Sequence, residues 1–164
     1  MADLLLQSPL KYEPKKKNRW LVRFPNDIGI QSWACKTASR PKPNITKNEI
    51  KFLNTSSWVN GSYVWGEIPI TIRDFIAPSQ SQAVMEWFRL HAESVTGRMG
   101  YNVGAAKNIE LEILDPTGVV VEKWLCVNCI LVGEIDFGEL TYEDDNLLEI
   151  SFTIQPHYCV HLFG

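Results

Sequence analysis

The stretch Pro78–Gly97, PSQSQAVMEWFRLHAESVTG, is the only long segment whose apolar residues recur at helical rather than strand spacing. Val84, Trp87, Phe88, His91 and Val95 fall on one face, while Gln82, Glu86, Arg89 and Glu93 fall elsewhere. Pro78 marks the start, as does Ser79 with Gln82 three residues on, the spacing of a capping box. Gly97 marks the end, because it can take the left-handed conformation that closes a helix. The flanking sequence reads as strand and turn throughout. One amphipathic helix, with Val84, Trp87 and Phe88 as its core face, must therefore cover a sheet built by the rest of the chain.

The strands are read from alternation. In Arg19–Phe24, Trp20, Val22 and Phe24 share one side; Pro25-Asn26-Asp27 with Gly29 turns the chain, and Ile30–Lys36 returns it in a first hairpin. In Glu67–Arg73 the isoleucines 68, 70 and 72 face one way. Pro69 has no N–H to give a ladder, so this strand lies at an edge or begins as one. Gly97–Gly104 is expected to be a mobile loop. Ile109, Leu111 and Ile113 point inward against Glu110 and Glu112. Asp115-Pro116-Thr117-Gly118 fits a type I turn. Val119–Phe137 is a long β-run with a bend or bulge around Asn128 or Gly133. After the acidic, turn-like Gly138–Asn146, residues Leu148, Ile150, Phe152 and Ile154 alternate with polar neighbours. Six or seven strands and one helix give a mainly β protein with one α-helix: an antiparallel β-sandwich or open barrel, with the helix packed at one side. Residues 1–18, with Lys15–Lys17, read as a mobile or extended arm. Residues 19–164 read as one β domain with a long insert at 37–66.

Composition excludes several function classes. Of 164 residues, 45% are hydrophobic and 21% charged, which is ordinary for a globular chain, and the net charge of −3 supplies no overall attraction to nucleic acid or anionic lipid. Lys15–Lys17 beside Trp20, with Arg19 and Arg23, reads as a solvated charge run, since no further basic and aromatic cluster supports a nucleic-acid patch. No apolar run approaches the ~20 residues of a membrane span. Met1–Leu10 lacks the features of a secretory signal, so the protein is expected to be cytoplasmic when made. Its four cysteines are then expected to be reduced. Cys126 and Cys129 form a C-x-x-C, but in a strand residues three apart face opposite ways, so buried structural thiols are favoured over a Cys126/Cys129/Cys159/His161 metal site. No nucleotide, metalloprotease or nucleophile motif occurs, His91 reads as a core or rim residue, and carboxylate pairs such as Glu110/Glu112 read as the wet side of a sheet. Neither an enzyme nor a cofactor is expected.

The insert is the least globular part, with Pro41, Pro43 and several Asn and Ser, yet it carries Phe52, Leu53, Trp58, Tyr63 and Trp65. So long a segment without periodicity is uncommon in a compact domain unless it is functional. Exposed Trp and Tyr on an extended arm suit a protein–protein contact, and these five residues are the candidate contact set. The alternative of another class is a β-rich ligand-binding module with Trp33, Trp58, Tyr63 and Trp65 as its platform.

In order and spacing the chain resembles the tail tube proteins of contractile-tailed bacteriophages and related contractile injection particles. A basic lead-in enters a strand at Asn18–Phe24. Trp33-Ala34-Cys35-Lys36-Thr37-Ala38 with Pro41 resembles the family's return strand and exit. The insert to Trp65, strand Ile68–Ile72 and the helix with Trp87 and Phe88 resemble its middle. Gly138-Glu139-Leu140, Asp145-Asn146, Ile150–Ile154 and Tyr158 resemble its end, and the apolar tail Val160–Phe163 departs from it. The resemblance implies a structural subunit of the virion tail, assembled in the host cytoplasm. Its copies would form six-membered rings that join strands into a larger barrel and stack into a hollow tube. The implied partners are further copies, sheath subunits outside, baseplate and tail-terminator proteins, and DNA that transits the lumen without specific binding. Acidic strand positions Glu110, Glu112, Glu134, Asp136 and Glu149 are then candidates to face the channel, since a carboxylate wall leaves a duplex unbound. A tube initiator or terminator, or the tube of a toxin-injecting particle, is the alternative within the class.

Overall fold

A computed structural model describes residues 12–163. Most of the expected arm, residues 1–11, and Gly164 lie outside them. Among the described residues nine strands form, more than the six or seven read from alternation. They are β1 (Trp20–Arg23), β2 (Cys35–Ala38), β3 (Pro43–Phe52), β4 (Thr55–Trp65), β5 (Ile68–Arg73), β6 (Lys107–Leu114), β7 (Val120–Asp136), β8 (Glu149–Gln155) and β9 (Tyr158–Phe163). The main helix, α1, spans Gln80–His91, and a single turn, α2, spans Asn102–Ala105 within the stretch expected to be loop.

Seven strands make one antiparallel sheet in the order β1-β6-β7-β8-β5-β2, with β9 also pairing β7. Because β7 is 17 residues long, it serves two halves, β1-β6-β7-β9 and β7-β8-β5-β2. It bends where Asn128 takes φ +51° and Gly133 φ +68°, each at a register shift, as the sequence suggested. The halves fold over one core. Val22, Ile109 and Leu111 of the first meet Ile70, Ile72, Phe152 and Ile154 of the second. Since β1 and β2 end the path and are not paired, the barrel stays open. The expected β1–β2 hairpin is therefore absent: β1 pairs β6 and β2 pairs β5. Residues 24–34 bury Phe24, Ile28, Ile30 and Ala34 as they cross the open side, and that burial outweighs a local return. In β5, Pro69 sits where only β8 is a neighbour, because β2 reaches no further than Ile70. The strand thus begins as an edge and continues inside the sheet.

Helix α1 plugs the open barrel. Val84 and Trp87 are buried, and the Trp87 ring meets Phe152 edge-on at 6.3 Å while its Nε1–H donates to the Ala105 carbonyl at 2.9 Å. Phe88 is half-buried. Ser79 Oγ accepts from Gln82 N–H at 3.4 Å, as the capping pattern predicts. Asp74 holds the start more firmly: it accepts the N–H groups of Gln80 and Ser81 at 3.0 and 3.2 Å, and also the Ser81 hydroxyl. Burial pushes the Asp74 carboxyl up, but these bonds outweigh it and hold the group below the usual carboxylate range. The helix ends at His91 rather than Gly97. Ala92 is extended and pairs with Met99, and bonds from Glu93 N–H to Arg98 O and from Gly97 N–H to Glu93 O satisfy in a turn what another helical turn would have used. Val95 consequently points into solvent. His91 ties α1 to β7: its Nε2 accepts the Leu131 N–H at 3.1 Å, so Nδ1 carries the proton and donates to Trp87 O at 3.1 Å.

The bulge at Asn128 also corrects the reading of the cysteines. One residue of β6, Asn108, opposes two of β7, Val127 and Asn128, so Cys126 and Cys129 both face the core instead of opposite sides. Cys159 of β9 lies directly across from Cys126. A hydrogen bond with Cys129, together with burial, pushes the Cys126 thiol up to about 12, and Cys159 is raised as well. His161 turns away from these thiols to Glu122, so the four residues of the metal alternative are not brought together.

Candidate functional site

The insert 37–66 is not irregular. Its core, β3 and β4, forms a separate two-stranded antiparallel sheet, and nearly every residue of it is exposed. Alternation was hard to see because neither face is buried by the chain's own body, so both carry mixed residues. Register supplies the faces. One presents Ile50, Phe52, Val59 and Val64; the other presents Ile45, Trp58, Tyr63 and Trp65. Lys47 Nζ lies 4.4 Å from the Trp58 ring centre, and Glu49 accepts from the Ser56 hydroxyl at 2.9 Å. A bulge opposite Thr46 lets the hairpin twist. Gly61 is needed there, because a Cβ would come within 2.3 Å of Thr46 Oγ1.

The tip is a two-residue loop, Leu53-Asn54, in which Leu53 takes φ +53°. Glycine or asparagine suits that conformation; a leucine there costs about 1 kcal/mol. Leu53 is also 87% exposed, beside Phe52 at 73%, and further down Trp58 and Tyr63 are 56% and 65% exposed. These four candidate contact residues have no place in the monomer's core. Trp65 differs: at the hairpin's base it meets Trp124 edge-on at 6.4 Å and packs on the body. Trp33 lies against Phe75 at 4.7 Å beside the helix start, so it does not join the hairpin aromatics in a ligand platform.

The five acidic candidates fall on two different faces. Glu110 and Glu112 lie outward on the first half-sheet and are engaged there: Arg23 donates to Glu112 at 3.0 Å and Lys123 lies 3.1 Å from Glu110. Glu112 is buried under this cover, among Leu21, Leu125, Val160 and Leu162 of the same face. Asp136 and Glu149 lie outward on the second half-sheet, and Glu134 joins them beside the cleft floored by Thr71, Ser151 and Thr153. Glu149 accepts from Lys36 at 2.5 Å.

The residue that sequence reading missed is Glu122. It points into the core side of β7, opposite Ile113, with its side chain only 5% exposed. Lys15 reaches it at 2.9 Å, His161 at 3.0 Å, the Trp124 indole at 3.0 Å and Arg40 at 3.6 Å. Burial pushes its carboxyl up, yet the bonds from Lys15, His161 and Trp124 and the Lys15 charge outweigh that and hold it below the usual range. One carboxylate thus ties together the lead-in, the last strand and the segment entering the hairpin. Glu122 interrupts the β7 apolar run, but its charged partners are not marked locally: only Trp124 lies on the same strand, and Lys15, Arg40 and His161 come from other parts of the chain.

These features define a class of fold: an open antiparallel barrel plugged by one helix, with an exposed hairpin standing off it. No protein-family model matches the sequence, and no curated protein matches it by sequence. The fold itself recurs in solved structures. A chain of the cryo-EM structure of the anti-feeding prophage tube-terminating cap superposes with a TM-score of 0.72 at 14% identity, covering 93% of this chain and 93% of that one. A chain of the anti-feeding prophage baseplate gives 0.70 at 15%, covering 93% and 97%. A chain of the sheath–tube complex of an extracellular contractile injection system, PVC, gives 0.64 at 10%, covering 96% and 99%. The chain has the fold of these contractile-injection components over nearly its whole length.

Proposed function

We propose that this chain is a non-catalytic tube subunit of a contractile injection particle, whose copies close into six-membered rings and stack into a hollow rod. The observation that carries this reading is the β3–β4 hairpin, which holds Phe52, Leu53, Trp58 and Tyr63 in water on a backbone strained at its tip. Contact with the next copy removes that apolar surface from solvent. The fold shared with components of the anti-feeding prophage and PVC particles supports the same reading. The outward face of the second half-sheet, with Glu134, Asp136, Thr71, Ser151 and Thr153, suits the channel wall, since it is polar and uncovered. The outward face of the first, with Leu21, Leu125, Val160 and Leu162, suits burial against a neighbour. Sheath subunits outside and baseplate and terminator proteins at the ends are the further partners.

The finer reading is a phage tail tube that passes DNA, for which carboxylates at 134 and 136 are fitting wall residues because they repel phosphates. A protein cargo is the second reading, favoured by the likeness to components of an extracellular injection system. Electron microscopy of the purified protein at rising concentration tests the class: rods or six-fold rings with a central hole are expected, and a monomer at every concentration refutes it. Rings that never stack would assign the chain to an end of the tube. Nuclease-protected DNA in purified particles separates the two cargoes.

A further inference from the structure

Two surface features lie outside the hairpin contact and have matching chemistry. The first is a cleft of about 520 Å3 between the lead-in and β2, floored by Trp20, Leu111 and Ile113. Lys16, Lys17, Lys36 and Arg40 stand around it. Arg40 and Lys15 share the single carboxylate of Glu122, and Lys36 is held by Glu149. Lys16 and Lys17 make no ion pair among the described residues, so the rim carries excess positive charge around an apolar floor.

The second feature is the β7–β8 loop, residues 138–147, all of them exposed. It carries Glu139, Glu143, Asp144 and Asp145, none of which makes an ion pair among the described residues, so it is the converse of the rim. Leu140, Tyr142 and Leu147 stand out from the same loop. Local bonds keep it shaped: Asp144 accepts both the backbone and the side-chain N–H of Asn146 at 3.0 Å, and Asp136 accepts the Gly138 N–H at 2.9 Å. Acidic residues interleaved with a leucine and a tyrosine match, group for group, an apolar floor rimmed by lysines.

We infer that the acidic loop 138–147 of one copy seats in the lysine-rimmed cleft of the next, with Leu140 or Tyr142 against Trp20 and Ile113 and the carboxylates on Lys16 and Lys17. The contact is head-to-tail: each copy gives a loop and receives one, so the arrangement closes into a ring or propagates as a stack. It rests on the self-assembling reading above and names a contact separate from the hairpin. Opposite charges around an apolar centre steer the encounter and fix its register, and like charges brought together there oppose it.

Charge exchange in the full-length protein tests the contact. K16E/K17E and E143K/D145K alter exposed residues, so each variant should keep the wild-type circular dichroism spectrum and urea midpoint. Each alone should raise the concentration needed for assembly by about tenfold or more, and the neutral E143Q/D145Q by a few-fold. An equimolar mixture of the two variants should assemble at the wild-type concentration in alternating order, because positions 143 and 145 then carry charge opposite to that at positions 16 and 17 in every contact. Variants that assemble like the wild type, or a mixture that does not recover, overturn the contact and leave the tube reading standing. A wild-type protein that never assembles overturns the tube reading and the contact together.

Discussion

Replacing Glu122 with glutamine isolates what the buried carboxylate contributes. Lys15 and Arg40 have side chains 54% and 60% exposed, so on losing their partner they regain water, and each is worth about 0.5 kcal/mol or less. The bonds from His161 and from the Trp124 indole are better shielded and end on a charged acceptor, worth about 1.5 kcal/mol each. Glutamine keeps one oxygen and can hold one of these as a neutral bond. The expected loss is therefore about 2 kcal/mol near neutral pH, while Glu122→Ala, which leaves the indole N–H unpartnered, costs about 3–4 kcal/mol. The sign of the pH dependence follows from the depressed pKa. The stabilisation is fully present above the ordinary value of 4.5 and is lost as pH falls through the lower folded-state value, where the wild type takes up the proton itself. Urea unfolding of dilute protein at about pH 7 and about pH 3 should show the gap between wild type and Glu122→Gln shrinking in acid. Equal stability at neutral pH, or an unchanged gap in acid, refutes the role assigned to the carboxylate.

Three further outcomes follow from the packing. Trp87→Ala should cost about 3–5 kcal/mol in urea unfolding, and Trp87→Phe distinctly less, since phenylalanine keeps most of the volume but leaves the Ala105 carbonyl without its donor. Asp74→Ala should destabilise by about 1–2 kcal/mol and Ser79→Ala by less, because Asp74 accepts three bonds at the helix start and Ser79 one long one; the reverse order counts against Asp74 as the anchor. Leu53→Asp with Phe52→Ser should leave the monomer's stability within about 0.5 kcal/mol while abolishing rods in electron micrographs, and rods that persist rule the tip out as a contact.

Alternation in Ile68–Ile72, Ile109–Ile113 and Ile150–Ile154 was enough to identify these strands and their inward faces, because each has one side buried against a single core. The helix with Trp87 inward, the Asp115–Gly118 turn and the bend at Asn128 were legible for the same reason: short-range spacing and special backbone conformations are written locally. Tertiary structure alone decided the rest. That β1 pairs β6 instead of the next strand depends on burying Phe24, Ile28 and Ile30 across the open side. That Cys126 and Cys129 face the same way depends on a bulge set by the partner strand. The hairpin escaped detection as strand because a sheet wetted on both faces in the monomer imposes no period on its residues. Glu122 escaped because a buried charge is defined by partners that the chain delivers from positions 15, 40 and 161, a convergence that no local pattern encodes.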